Sequence, residues 1–236
     1  MCSKDSSNIL VIGDLMIDHY LWGDANRISP EAPIPVVDID KETTVLGGAG
    51  NVVNNLNALG CSVGVISAIG YDKEGDELKQ MLQLITNKVY LIPQDDRKTS
   101  KKSRIIASHS QVVRYDKESK DDIKEETQDS ILKKFKSIVE NFDIVLLSDY
   151  GKGVLTSALT LNIIKYANDK NIKVLVDPKG DDYSKYYGAY LLTPNKKEAI
   201  LSSKIDIKDD KSLFNALENL KKIANLTIPL ITLSED

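Results

Sequence analysis

The sequence predicts an α/β fold with a mainly parallel central sheet and a smaller β appendage, and three observations carry that expectation. From residue 121 onward, short apolar runs alternate with amphipathic stretches of helical length, the rhythm of right-handed strand–helix–strand crossovers. Polar or charged residues follow each apolar run, in Ser148-Asp149-Tyr150-Gly151-Lys152-Gly153, Asp177-Pro178-Lys179, Thr193-Pro194-Asn195-Lys196-Lys197-Glu198 and Thr232-Leu233-Ser234-Glu235-Asp236. Open parallel sheets bind ligands beyond the carboxyl ends of their strands, so one edge is expected to gather the chemistry. Residues 97–116, by contrast, alternate cations with β-branched residues around Ser108-His109-Ser110-Gln111, a hairpin pattern set apart from that rhythm.

Composition bounds the rest. With 236 residues and 42% hydrophobic content, the chain can bury one domain-sized core. Acidic residues outnumber basic ones by 35 to 31, and no basic stripe is interleaved with aromatics, which argues against a nucleic-acid partner. The first apolar run, residues 9–12, is too short for a signal-peptide core or a membrane span, so a cytoplasmic protein without a membrane partner is expected. Cys2 and Cys61 cannot make a disulfide framework, and His19 and His109 supply no zinc cluster.

Taken in order, residues 8–13 read as a buried strand closed by Gly13, with Asp14 at its carboxyl end. Asp14 and Asp18 stand four apart. Either carboxylate suits a sugar hydroxyl, and equally Asp14 could cap a turn while Asp18 is solvated. The three prolines of residues 27–35 exclude a helix or a central strand there. Residues 36–45 then alternate as a strand with one wet face and deliver the chain to Gly47-Gly48-Ala49-Gly50-Asn51.

That glycine turn opens a helix with Gly60 as its stop signal. A helix start with free N–H groups, plus the Asn51 amide, suits a polyhydroxylated or anionic ligand; a tight turn with close packing explains the glycines equally well. A strand at 61–70 and a helix at 72–84 follow, the latter with Leu78, Met81, Leu82 and Ile85 on one side. In the hairpin, Lys102, Arg104 and Arg114 could reach a phosphate, or could simply discourage edge aggregation. Helices are expected near 121–140, 156–169 and 209–224, and strands at 144–147, 172–176, 190–192 and 230–233. Asn195 and Glu198, three apart, share a helix face where amide and carboxylate could hold a hydrated Mg²⁺. Neither a Walker-type loop nor a strand-linked Gly-x-Gly-x-x-Gly is present.

These segments, in this order, resemble the ribokinase-like (PfkB) carbohydrate kinases. Gly13-Asp14-Leu15-Met16-Ile17-Asp18-His19-Tyr20 with Arg27-Ile28-Ser29-Pro30-Glu31-Ala32-Pro33-Ile34-Pro35-Val36 resembles the branch acting on D-glycero-β-D-manno-heptose 7-phosphate. The resemblance implies a three-layer sandwich with lid segments at about 15–45 and 97–115, a single kinase domain over 1–236 that is incomplete at its C-terminus. It implies phosphate transfer from ATP to the anomeric hydroxyl, giving the 1,7-bisphosphate on the route to ADP-heptose and lipopolysaccharide.

By position, Asp14, Gly48 and Asn51 would bind sugar hydroxyls with Glu31 nearby on the lid, and Lys102, Arg104 and Arg114 would approach the sugar or its 7-phosphate. Lys179, Asn195, Glu198 and Ser234 would serve Mg·ATP, Glu198 reaching the metal through water. The general-base Asp of the family's Gly-Ala-Gly-Asp turn would lie beyond Asp236, leaving this chain inactive alone. The resemblance also implies a homodimer through the lid and a C-terminal adenylyltransferase domain in the parent. Other readings are another sugar or nucleoside kinase of the family, or a non-catalytic sugar-binding or dimerising module.

Overall fold

The computed structural model describes residues 7–108 and 110–233, so Cys2, His109, Ser234, Glu235 and Asp236 lie outside the described residues. Six strands form one wholly parallel sheet: β1 (Asn8–Gly13), β4 (Ser62–Gly70), β5 (Val89–Gln94), β8 (Ile144–Ser148), β9 (Lys173–Asp177) and β10 (Leu191–Leu192), in the order β10-β9-β8-β1-β4-β5. The strand period of two sorts β1 cleanly. Leu10 and Ile12 face a core shared with α3 (Glu125–Ile138), α4 (Ser157–Asp169), α5 (Lys196–Ser203) and α6 (Asp210–Ala224). Ile9 and Val11 face the opposite core, built with α1 (Ala49–Ala58) and α2 (Lys73–Gln83). Helices thus cover both faces, as a parallel sheet of nearly continuous apolar strands requires.

A second sheet carries the order β3-β2-β6-β7, from β2 (Leu15–Ile28), β3 (Pro35–Gly48), β6 (Ser100–Ala107) and β7 (Ser110–Lys117). Residues 97–116 are therefore a hairpin apart from the main sheet, as their alternation predicts. Leu15, Ile17 and Leu46 root this sheet in the α1–α2 core. Buried His19 ties its strands together, Nδ1 to Ser103 Oγ at 2.9 Å and Nε2 to Glu42 Oε1 at 2.6 Å. Lys117 Nζ pins β7 to the start of α2 through Glu74 at 2.5 Å and Asp72 at 3.3 Å.

Three expectations need correction. Residues 230–233 form no strand; isolated bridges join Leu191 to Ile228 and Asn195 to Thr232, and Pro229, which lacks an N–H, stands between them. β5 occupies residues for which no element is expected, and as an edge strand it tolerates Pro93. The charged helix begins at Glu125 rather than 121, after a loop whose Ile123 N–H donates to Gly153 O.

Candidate active site

The carboxyl ends of β1, β8 and β9 are in register, Gly13 beside Ser148 and Ser148 beside Asp177, so the loops that follow converge on one edge. Asp14 is its deepest group. Its carboxylate is 1% exposed and accepts N–H groups from Tyr150 (2.8 Å), Lys152 (3.0 Å) and Val154 (3.1 Å). Burial pushes its pKa up, and the three N–H bonds pull against that. Arg97, itself buried, ties this loop to the segment before α3 through the Lys152 and Asp121 carbonyls.

The glycine turn closes against this junction. Gly48, at φ 54°, is the N-cap of α1; a Cβ there would strike the Asp14 carbonyl, which also accepts the Ala49 N–H at 3.0 Å. A Cβ at Gly47 would strike the Asp18 carboxylate. No side chain caps α1, and exposed Asn51 stands in its first turn. Only glycine allows the turn to lie this close to two acidic residues.

Asp18 is the carboxylate that faces the turn. Its Oδ1 takes a 2.6 Å bond from Arg104 Nη1, and the Arg104 guanidinium lies 5.1 Å from the Tyr20 ring centre. The strand registers set two rows across the small sheet, Val45·Asp18·Lys102·Asp116 and Thr43·Tyr20·Arg104·Arg114. Residues two apart on a strand share a face, so Lys102, Arg104 and Arg114 are brought together on the face that carries Asp18. Arg114 Nε is paired with Asp116 at 3.2 Å, and Lys102 has no ion-pair partner among the described residues.

Two residues fall differently from their expected places. Asp14 has spent three acceptor positions on backbone and has almost no exposed surface, so it anchors a loop, and Asp18 presents the available carboxylate. Glu31 lies in the 29–34 loop at the tip of the β2–β3 hairpin, where β2 has run ten residues, or roughly 33 Å, beyond Asp18.

On the other side of the edge, Asn195 and Glu198 form a capping box at the start of α5: Asn195 Oδ1 accepts the Glu198 N–H at 3.0 Å and Glu198 Oε2 accepts the Asn195 N–H at 3.1 Å. Glu198 Oε1 holds Lys179 Nζ at 2.9 Å. The pairing that suggested a metal site is thus first a helix-start device. Beside it, half-buried Asp177 has its pKa raised by burial and then by Glu198. Tyr150, whose phenol is raised by burial and then by Asp177 and Asp18, stands between the two sides of the edge. A cavity of about 400 Å³ opens next to α5, lined by Asn195, Lys196, Lys197, Thr232 and Leu233.

Asp18, Tyr150 and Asp177 all occur in the sequence motifs, yet only tertiary placement distinguishes them from their neighbours. Arg97 gave no signal at all.

A parallel α/β sheet with a glycine turn, a cationic small sheet and a polar strand edge defines a phosphotransferase-type cleft. The chain belongs to the pfkB family of carbohydrate kinases, whose family model matches residues 6–236. Among relatives, it is 59% identical over 236 residues to "Bifunctional protein HldE" of Aliarcobacter butzleri, covering 100% of this chain and 49% of that protein. It is 61% identical over 229 residues to the Sulfurimonas denitrificans protein of the same name, covering 97% and 48%. The chain spans about half the length of the curated relatives it matches.

Among solved structures, Arabidopsis thaliana ribokinase complexed with ribose and ATP aligns with a TM-score of 0.68 at 15% identity, covering 97% of this chain and 72% of that one. The tetrameric inhibited form of Escherichia coli phosphofructokinase-2 aligns with a TM-score of 0.70 at 16% identity, covering 94% and 71%. Those likenesses show the ribokinase-like fold. Among the described residues, no helix is long and apolar enough to cross a membrane.

Proposed function

We propose that this chain is the kinase part of a heptose-phosphate enzyme, transferring the γ-phosphoryl group of ATP to the anomeric O1 of D-glycero-β-D-manno-heptose 7-phosphate. The O1–phosphorus bond forms, the bond from the γ-phosphorus to the bridging oxygen breaks, and ADP leaves. The observation that carries the reading is the contact series Gly47–Asp18–Arg104, which sets a guanidinium beside a hydroxyl-binding turn. A sugar bearing its own phosphate needs both at once. Asp18, Gly48 and Asn51 take hydroxyls; Lys102, Arg104 and Arg114 take the 7-phosphate, where charge-assisted bonds are the strong ones. Asp14 holds the floor of the site.

Lys179 and the free Asn195 amide face the nucleotide, whose pocket includes the cavity beside α5. The donor set at that edge fits a hydrated divalent cation: Asp177 offers a half-buried carboxylate with no hydrogen bond among the described residues, and Glu198 lies next to it. Such a cation, Mg²⁺ in this reading, would be held by Asp177 and Glu198 and would supply charge neutralisation for the transferring phosphoryl group. Beside the glycine turn, Asp14 is held by three backbone N–H groups, and Asp18, paired with Arg104 through Oδ1, is assigned to hydroxyl binding. We therefore assign no base to the described residues, and this chain alone is expected to bind sugar phosphate without turning it over.

The small sheet acts as a lid that excludes water, and it also serves as the face of a homodimer. Trp22 and Val45 on the face that carries Asp18, and Val113 and Tyr115 on the opposite face, leave apolar surface exposed. In this reading an adenylyltransferase half fills the additional length of the bifunctional relatives, and dependence on ATP is what argues for a cytoplasmic protein. The test is turnover by the protein as its host makes it, with heptose 7-phosphate, ATP and Mg²⁺, followed by ³¹P NMR. A new anomeric phosphate resonance supports the reading; phosphorylation of ribose or fructose 6-phosphate in its place moves the chain to another branch of the family.

A further inference from the structure

Tyr186 is fully buried at the end of a short 3₁₀ turn, Tyr183–Tyr186, that Asp182 opens by accepting the Ser184 N–H. Its ring sits edge-on to Tyr183 with centres 5.7 Å apart. The hydroxyl donates to Asp149 Oδ2 at 2.8 Å and accepts the Lys179 N–H at 3.0 Å. Its single proton goes to the carboxylate, the nearer and charged acceptor. These two partners belong to the loops after neighbouring strands β8 and β9.

Each partner leads to one side of the edge. Asp149 Oδ1 accepts the Gly151 N–H at 2.8 Å, within the loop whose Tyr150, Lys152 and Val154 amides grip Asp14. Lys179 Nζ reaches Glu198, which closes the capping box with Asn195. The backbone ladder holds the strand ends only as far as the Asp149 N–H on Asp177 O, at 3.0 Å. Beyond it, residues 179–182 are exposed, and Gly180, at φ 91°, has no neighbour within 4 Å of where a Cβ would stand. The Tyr186 hydroxyl is the fixed point of that segment. Lys185 also binds Asp149, at 2.6 Å, but makes no bond to the 177–179 turn.

We propose that Tyr186 is a positioning residue that couples the sugar side of the edge to the nucleotide side, so that sugar phosphate and Mg·ATP bind cooperatively. The inference rests on the function proposed above. Without the hydroxyl, Lys179 loses the acceptor for its N–H and is no longer held in line with Glu198. The Asp14 loop then stops sensing what is bound there. Tyr186→Phe keeps the ring and its packing, and leaves Asp149 with Lys185 and the Gly151 N–H.

The test is calorimetric titration of the protein as its host makes it with heptose 7-phosphate, alone and with saturating Mg²⁺ and β,γ-imido-ATP. In the wild type the analogue is expected to tighten sugar phosphate at least about fivefold, the low end of usual couplings, and in Y186F less than about twofold. Each ligand's affinity alone stays near wild type in Y186F. Wild-type coupling in Y186F, or loss of sugar-phosphate binding by Y186F without the analogue, overturns the inference. A wild type that binds both ligands without coupling also overturns it alone, whereas a wild type that binds neither defeats the function reading beneath it.

Discussion

The two sheets of this molecule solve different problems with the same local chemistry. The six-stranded sheet is covered on both faces, and its strand β1 is apolar on either side, so its residues serve packing. The four-stranded sheet buries one face around Ile17, His19 and Leu46 and leaves the other to Asp18, Tyr20, Lys102, Arg104 and Arg114. In the proposed function its residues serve recognition. Where the two meet, Asp14 accepts three backbone N–H groups while Asp18, four residues on, is held by one arginine, the group the proposed function assigns to the phosphate.

Substitutions should separate packing from recognition. Ile12→Ala, in the heart of β1, is expected to cost about 3 kcal/mol in urea denaturation, whereas Val113→Ala, exposed on the edge strand of the small sheet, should cost less than about 0.5 kcal/mol. Comparable losses at both positions would erase the distinction. Asp14→Ala strands three N–H groups, that of Val154 buried, and should cost about 2 kcal/mol by the same measurement. Arg104→Ala should leave stability within about 0.5 kcal/mol yet weaken heptose 7-phosphate binding at least about tenfold. Arg104→Lys should not restore that affinity, because an ammonium cannot reproduce the planar fork.

The smallest effect is acid sensitivity, and here the two regions run in opposite directions. Burial holds Asp14 above its ordinary 3.8, so its contribution is complete below that value and declines as pH rises through the native one. At Asp72, burial pushes upward but bonds from Thr99, Gly75 and Lys117 pull the pKa below 3.8; at Glu74, Lys117 pulls it below 4.5. Their contribution is complete above those ordinary values and is lost as pH falls through the lowered ones. Below about pH 4, amide exchange on β7 should therefore accelerate before exchange at Val11 does. Simultaneous release would show that the α2–β7 contact does not hold the small sheet.

Much of the fold was legible because buried parallel strands write themselves as apolar runs and their ends as polar clusters. The hairpin at 97–116 was legible for the same reason, from its alternation. What stayed hidden depends on partners distant in sequence. The N–H groups that occupy Asp14 come from 136 to 140 residues away, so the motif located the residue without revealing its job. Asn195 and Glu198 looked like a ligand pair because a capping box and a metal-binding pair share the same spacing. Glu31 sits in a stretch that matched its branch of the family, but the hairpin carries it to the far tip. Pro93 and Pro229 show how one residue type acts differently by position, tolerated in an edge strand at one site and interrupting an expected strand at the other.

The account turns on one cleft holding a sugar and a phosphate together. The most direct measurement is calorimetric titration of this chain with D-glycero-β-D-manno-heptose 7-phosphate, with ribose and fructose 6-phosphate as controls and Arg104→Ala alongside. Selective binding of the heptose phosphate that is lost in Arg104→Ala is the expected result. A folded chain that binds all three alike, or binds the heptose phosphate equally well without Arg104, would contradict the account.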